Sequence, residues 1–376
     1  MNSILLNSFF ISLCFILGIK TQALSQSLDK LDSMAFYALE NNLPSVGDKA
    51  NELIKKSRSK EDLFHKANGH TILGIINKNK GYYITSINHY LKALNISEEI
   101  KDDGRRSACL NNIGTIYLLQ ENFKEALKYF NNSLEIENKL NQPIQKSIRY
   151  YNIGDVYNQT DSLELALSFY TNSLIIEKKE ENNEGVVYAN LGIAEVYIKA
   201  KHIKDAKTTL AKTKDLITEN ALEERIIFFR LESRILELEE QLTKAFDKLN
   251  DAITIAKQHN LQSRLPELLK NQIRILEKQK KWKLSNSKYR ELNVLSDNLN
   301  SVKVKNQLAD LSFQNELNKK DLEIELIKEE RDLASQNAEH EKNIRKFSTK
   351  ITWFLVFSIL LIIALLIFGF KRFSNS

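Results

Sequence analysis

The sequence has few of the residues that end helices or cross-link a chain. Its 376 residues include only 3 prolines, 11 glycines and 2 cysteines. Scarce proline and glycine leave long stretches free to form helices, which favours an all-α protein. Two cysteines cannot build a disulfide framework. Because Cys14 lies in a predicted leader, Cys109 is predicted to be a lone buried side chain.

A marked excess of one charge is also missing. The 54 basic and 48 acidic residues give a net charge of +6. There is no basic stripe interleaved with aromatic residues, so we expect no nucleic-acid partner. The 6 histidines are scattered, and no phosphate-binding loop, nucleophile elbow or kinase signature is present. We therefore expect no enzymatic activity, no cofactor and no metal site.

What the sequence does contain is a repeat of about 40 residues. The hexapeptide NIGTIY at 112–117 returns as NIGDVY at 152–157. Seven units fit between residues 27 and 298, with one step of 39. The small position of the first helix holds Met34, Gly74, Gly114, Gly154, Ala194, Ser233 and Ile273. The large position of the second helix holds Ala50, Tyr90, Phe130, Tyr170, Leu210, Leu249 and Tyr289.

This order of small and large residues resembles the tetratricopeptide repeat. The resemblance implies an all-α solenoid of about seven helical hairpins, in which each hairpin buries its apolar face against the next. Small residues let two helices approach closely, so that ridges enter grooves. The 40-residue form is similar to repeats of kinesin light chains, LGN-type scaffolds and bacterial peptide-sensing regulators. It implies a concave groove for a peptide or a partner protein.

The resemblance also implies candidate binding residues. In the kinesin light chain and LGN-type arrays, an asparagine of the first helix points into the groove and bonds the backbone of an extended peptide. Asn112 and Asn152 occupy that column here. The alternative is that each amide bonds only within its own repeat. The other residues expected to line the groove are Asn111, Tyr151, Asp155 and Asn158.

Both ends of the chain carry apolar segments. Residues 1–23 are predicted to be a secretory signal, although no Lys or Arg precedes the apolar run, and an uncleaved anchor is the alternative. Residues 351–370 contain no charge over 20 residues, a length that spans a bilayer. They are predicted to form a transmembrane helix, with 371–376 as a short cytoplasmic tail. An exported N-terminus would place the repeats in the periplasm, outside the inner membrane.

A charged segment, 299–348, separates the repeats from this span. It has no Gly or Pro and mixes acidic with basic residues, which predicts a long helix supported by Glu–Lys pairs. It is either a solvated single helix or a coiled coil that makes a weak homodimer.

The order of segments is similar to the exported part of bacterial sensor histidine kinases and regulators. Only six residues follow the predicted span, so we expect no output domain. We predict a membrane-anchored scaffold or sensor that binds peptides or proteins. The alternative is a remnant or half of a split sensor, acting through its membrane helix on a separate kinase or transcription factor.

Overall fold

The secondary structure of the described residues is entirely helical. The computed structural model describes 27–41, 43–259 and 261–373, of which 299–327, 341, 344, 360–362 and 364–373 are described by their backbone alone. The predicted signal, 1–23, lies outside the described residues.

In the described residues the helices form seven successive pairs, one for each predicted repeat. The first helices are α1 (27–40), α3 (Leu63–Asn79), α5 (Asp103–Leu119), α7 (Pro143–Gln159), α9 (Asn183–Lys199), α11 (Leu222–Leu238) and α13 (Leu265–Lys278). The second helices are α2 (Val46–Lys56), α4 (Tyr83–Glu99), α6 (Phe123–Glu137), α8 (Leu163–Lys179), α10 (Ile203–Lys214), α12 (Leu242–Gln258) and α14 (Trp282–Phe373). The all-α fold of repeated helical pairs is confirmed.

Glycines of the first helices admit aromatic rings from the second helices. A Cβ added at Gly114 would lie 2.7 Å from the ring of Phe130, and one at Gly154 would lie 2.9 Å from the ring of Tyr170. Side chains in a close-packed core do not approach so closely, so a larger residue would push the helices apart. Phe130 and Tyr170 are 0% and 1% exposed, which confirms the predicted packing of these pairs.

The turn within each pair from the second to the seventh contains a residue in the left-handed conformation. The φ angle is 79° at Gly81, 57° at Glu121 and 54° at Asp161. The next residue donates its backbone N–H to a carbonyl near the end of the helix, as Asn122 does to Tyr117 at 2.9 Å. Such a bond ends the helix and fixes the chain reversal. The same conformation recurs at Lys201, Glu240 and Lys280.

The first pair departs from the predicted register. The small position of the first helix predicts that Met34 faces inward, and Tyr37, three residues later, lies on the same side of the helix, but they are 43% and 62% exposed. The buried residues of α1 instead include Leu28, Leu31 and Ala35, which pack against α2 and α3. These three residues recur at helical spacing and form one apolar stripe. Met34 and Tyr37 lie beside that stripe, so the expected register is wrong in this pair.

The helix α14 is 92 residues long. It includes the predicted charged segment, 299–348, whose helical structure is confirmed. The chain divides after Leu311 into two compact units. Side chains from 328 to 340 are exposed. Pairing of this helix with a second copy stays a prediction.

Within the described residues, no helix combines the length and the hydrophobicity that crossing a membrane requires. The predicted span is 351–370. The side chains of 360–362 and 364–370, which make up half of it, are not among the described residues.

Candidate binding site on the first helices

A cavity of about 290 Å³ lies where the first helices of four consecutive pairs come together. It is lined by α7, α9, α11 and α13, with Arg264 just before α13 and one side chain from α8. We call it the first-helix cavity. Its aromatic and charged lining residues are Tyr151, Asp155, Tyr170, Tyr188, Glu195, Arg230, Arg264 and Glu267.

Three tyrosines form one wall of the first-helix cavity. The ring centroid of Tyr151 lies 5.2 Å from that of Tyr170 and 6.1 Å from that of Tyr188. Burial raises the pKa of all three hydroxyls above the ordinary value, so they remain neutral at physiological pH. The wall therefore combines apolar ring surface with hydroxyl groups that can donate hydrogen bonds.

A glycine outside the small position makes room for this wall. A Cβ at Gly192 would lie 2.8 Å from the ring of Tyr170, so that ring is held between Gly154 on α7 and Gly192 on α9. Gly192 occupies the column in which Asn112 and Asn152 stand in earlier repeats. The asparagine column is therefore interrupted at the tyrosine wall, although Asn271 stands in it again in the last repeat.

An ion pair joins three of the four helices. Arg230 on α11 donates two hydrogen bonds to Glu195 on α9, each 3.0 Å long. A guanidinium nitrogen also lies 3.1 Å from Glu267 on α13. Burial would raise the pKa of Glu195, but the charge and hydrogen bonds of Arg230 outweigh burial and hold it below the ordinary value. Arg230 thus fixes the spacing of three consecutive first helices.

Asp155 accepts weaker hydrogen bonds than the other carboxylates of the first-helix cavity. It accepts a hydrogen bond from the hydroxyl of Tyr170 at 3.4 Å and one from Gln159 at 3.3 Å. Both bonds are long for these donors. Burial raises the pKa of Asp155 above its ordinary value, although the bond from Gln159 works against this.

Four of the six predicted binding residues fall into two groups. Tyr151 and Asp155 line the first-helix cavity. Asn152 donates its amide to the side-chain oxygen of Asn111 at 2.7 Å, which links α7 to α5. This bond joins two repeats, whereas the alternative considered from the sequence placed it within one. A role of either amide in binding a peptide stays a prediction.

Asn112 and Asn158 lie outside the residues that line the cavity. Asn112 is half-buried on α5. Asn158 is only 5% exposed, although it was expected on an open surface. At 100° per residue, Asn158 lies only about 40° around the helix from the inward-facing Gly154. Lys199 covers it and donates to its backbone carbonyl at 2.6 Å.

Sequence reasoning missed Glu195, Arg230 and Tyr188. The repeat itself carried the signal, because Glu195 stands 40 residues after Asp155. Arg230 likewise stands in the column of Asn111 and Tyr151, once the 39-residue step is counted. Extending each predicted column through the later repeats would have found the first two residues.

A larger cavity, of about 490 Å³, lies between α10, α11 and α12. It forms where α10 is short, with 12 residues against 17 in α8 and α12. Its floor is apolar, and two of its four lysines pair with carboxylates, Lys207 with Glu239 and Lys248 with Glu232. It offers less varied chemistry than the first-helix cavity.

Metal chemistry has little support in the part of the chain that the structure describes. No group of three or more His, Cys, Asp or Glu residues there could hold a metal ion. Cys109 is a free cysteine and is 0% exposed, as predicted. Burial raises the pKa of its thiol to about 11.

The family model for the tetratricopeptide repeat matches residues 67–139. The chain contains tetratricopeptide repeats. The matched segment includes α4 and α5 whole, most of α3 and all of α6. No curated protein sequence matches the chain. The resemblance to exported parts of sensor kinases stays a prediction.

Solved structures with a similar fold come from Rap and NprR proteins. The apo form of RapI has a TM-score of 0.60 at 15% identity, covering 73% of this chain and 99% of RapI. A Rap protein complexed with competence and sporulation factor has a TM-score of 0.57 at 16% identity, covering 72% and 74%. NprR in complex with its cognate peptide NprX has a TM-score of 0.53 at 13% identity, covering 78% and 84%. At these identities the likeness concerns the fold of the tetratricopeptide array.

Proposed function

We propose that the tetratricopeptide array binds a peptide, or a peptide segment of a partner protein, across the first-helix cavity. The observation that carries the proposal is the meeting of a tyrosine wall, two arginines and three carboxylates from four consecutive repeats. Binding sites combine apolar surface with a few placed polar groups in this way. A segment that crosses several repeats would contact all of them at once.

The solved structures of similar fold support the same proposal. One is a Rap protein complexed with competence and sporulation factor, and another is NprR with its cognate peptide. In this chain the proposed main-chain contacts are Asn112 and Asn152, and Asn152 directly follows Tyr151 on α7. A peptide that reaches Asn152 would compete with its bond to Asn111. An amide bonded to a peptide backbone recognises extended shape, so sequence preference would come from the cavity.

The experiment uses the full-length chain and a displayed library of random peptides. Gln159 is exposed and lines the cavity, so Gln159→Trp should obstruct it. Leu119 is the equivalent residue one repeat earlier and is 53% exposed, which makes Leu119→Trp the matched control. We expect peptides selected on the parent to bind Leu119→Trp normally and Gln159→Trp at least about tenfold more weakly. Equal binding by both variants would place the site elsewhere.

We also propose that the array acts outside the cytoplasm as a membrane-anchored scaffold or sensor. Support comes from the apolar leader, 1–23, and from the uncharged segment 351–370. Protease added to cells with a permeabilised outer layer should degrade the array and leave a cytoplasmic marker protein intact. An array that survives until the inner membrane is lysed would reject this topology.

A further inference from the structure

Asp155 differs from the other carboxylates of the first-helix cavity in forming no ion pair, although the charge of Lys199 acts on it and lowers its pKa against the larger effect of burial. Glu195 and Glu267 both pair with Arg230. In the described residues no lysine, arginine or histidine forms an ion pair with Asp155, whose hydrogen bonds come from Tyr170 and Gln159. A half-buried carboxylate without a counter-ion is costly, and a cation brought by a ligand would remove that cost.

The cations in and beside the first-helix cavity are engaged elsewhere, and Arg264 pairs with Glu223 at 2.6 Å. Arg230 is held by two hydrogen bonds to Glu195. Lys199 lies 2.9 Å from Asp161 and also donates to the backbone carbonyl of Asn158. Moving any of these cations towards Asp155 would break contacts it already makes. The carboxylate of Asp155 therefore suits a cation from outside the chain.

The tyrosine wall also suits a cation. Tyr151 and Tyr170 lie beside Asp155, and Tyr188 adds a third ring. Aromatic faces attract lysine and arginine groups, most strongly where water is excluded. The volume of about 290 Å³ is at the lower end of ligand sites, which fits a single side chain or a chain terminus.

We propose that the first-helix cavity takes a cationic group of the peptide, a lysine or arginine side chain or a free amino terminus, against the carboxylate of Asp155. The tyrosines enclose the apolar stem of that group, and Asp155 binds its charge. Arg230 stays with Glu195 and repels a cation that enters too deeply. This inference rests on the proposed function, because it specifies the class of peptide that the cavity selects.

The test compares two libraries displayed against the full-length chain. One contains all amino acids, and the other lacks Lys, Arg and His and has a blocked amino terminus. We expect the first library to yield cavity-dependent peptides with a basic group at a fixed position, and the second to yield none of similar affinity. Dependence on the cavity is judged with Gln159→Trp and Leu119→Trp.

Variants of both partners then locate the contact. In the tightest peptide, lysine is replaced by norleucine, or arginine by citrulline, and binding to the unaltered chain should weaken about thirtyfold or more. Asp155→Asn should cause a similar loss for the basic peptide and little further loss for the neutral one. Asp205, an exposed residue of α10, supplies the control Asp205→Asn, which should leave binding unchanged.

The possible results separate the two proposals. If neither library yields peptides that depend on the cavity, the proposed function and this inference are both rejected. If cation-free peptides bind equally well, or if the neutral peptide loses nothing on the unaltered chain, the cation site is rejected and peptide binding stands. The peptide substitution requires no altered protein, so a misfolded variant does not affect that decision.

Discussion

Arg149 on α7 and Arg230 on α11 each pair with a glutamate, but the two pairs differ in their access to solvent. The side chains of Arg149 and Glu137 are 3% and 0% exposed. Those of Arg230 and Glu195 are 18% and 27% exposed and line a cavity. The ion pair of Arg149 is enclosed by protein, whereas the ion pair of Arg230 can be reached by a ligand.

The neighbours of Arg149 explain why its ion pair with Glu137 is enclosed by protein. Arg149 donates to the hydroxyls of Ser133 at 2.8 Å and Ser107 at 3.3 Å, in addition to Glu137. Burial lowers the pKa of Arg149, and the charge of Glu137 opposes that effect. Because both side chains are almost fully enclosed, the pair has a structural role. Around Arg230, Glu267 is 53% exposed and can exchange its partner without leaving a buried charge.

The largest expected effect on stability is at the enclosed ion pair of Arg149 and Glu137. Arg149→Met leaves Glu137 buried without a counter-ion and should lower the free energy of unfolding by about 3–5 kcal/mol. Arg230→Met should cost clearly less, because water can reach its partners. Chemical denaturation of both variants measures the difference. The double variant Arg149→Met with Glu137→Leu should regain much of the loss, and equal losses for the two arginines would invalidate the comparison.

Packing at a glycine tests how closely the two helices of one pair approach each other. Gly154→Leu should drive a side chain into the ring of Tyr170 and cost about 1–3 kcal/mol or more. Gly47 on α2 has nothing within 4 Å of an added Cβ, so Gly47→Leu is the control and should not destabilise the chain. Thermal unfolding that is unchanged in Gly154→Leu would mean that the glycine column does not pack as described.

Glu237 provides a buried carboxylate whose partners are partly exposed. Its side chain is 0% exposed and contacts Arg234, Arg274 and Lys278. Burial would raise its pKa, but hydrogen bonds from these cations lower it from 4.5 to about 2. Because the folded pKa is depressed, the stabilisation is present above the ordinary pKa and is lost as pH falls towards about 2.

Glu237→Gln should therefore cost about 2 kcal/mol at neutral pH, since the cations are partly screened by solvent. The difference from the parent should shrink as the pH is lowered through the range between these two pKa values. Unfolding curves at several pH values measure it. A difference that stays constant with pH would show that charge at Glu237 is not responsible.

The smallest effect on stability is expected at Asp155, where the pKa is shifted in the direction opposite to that of Glu237. Burial raises the pKa of Asp155, so its ionisation opposes folding at neutral pH, and protonation relieves that cost. Asp155→Asn should leave the stability of the ligand-free chain unchanged or slightly raised, as found where a site is shaped for binding. A clear loss of stability at neutral pH would indicate that Asp155 has a structural role like that of Glu137.

Much of the fold could be predicted from the sequence because each repeat places small and large residues at the same positions. Gly114 with Phe130 and Gly154 with Tyr170 are local contacts at fixed spacing, so one repeat explains the next. The rule failed at Met34, where apolar residues on both sides of the predicted position allow more than one register.

The site was harder to predict because it lies between repeats. Glu195 and Arg230 are 35 residues apart and meet only after two pairs have stacked. The bond from Asn152 to Asn111 joins repeats in the same way. A column of residues shows which way a side chain faces, but it does not show which neighbour in the next repeat it will meet.

Photo-crosslinking to the cavity tests the central claim most directly. A benzoyl-phenylalanine in place of Tyr188 lies in the first-helix cavity, and one in place of Tyr289, which is 43% exposed on α14, serves as the control. With a peptide selected on the full-length chain, we expect crosslinking at position 188 that excess unlabelled peptide abolishes, and none at position 289. Specific crosslinking at 289 and not at 188 would contradict binding in the first-helix cavity.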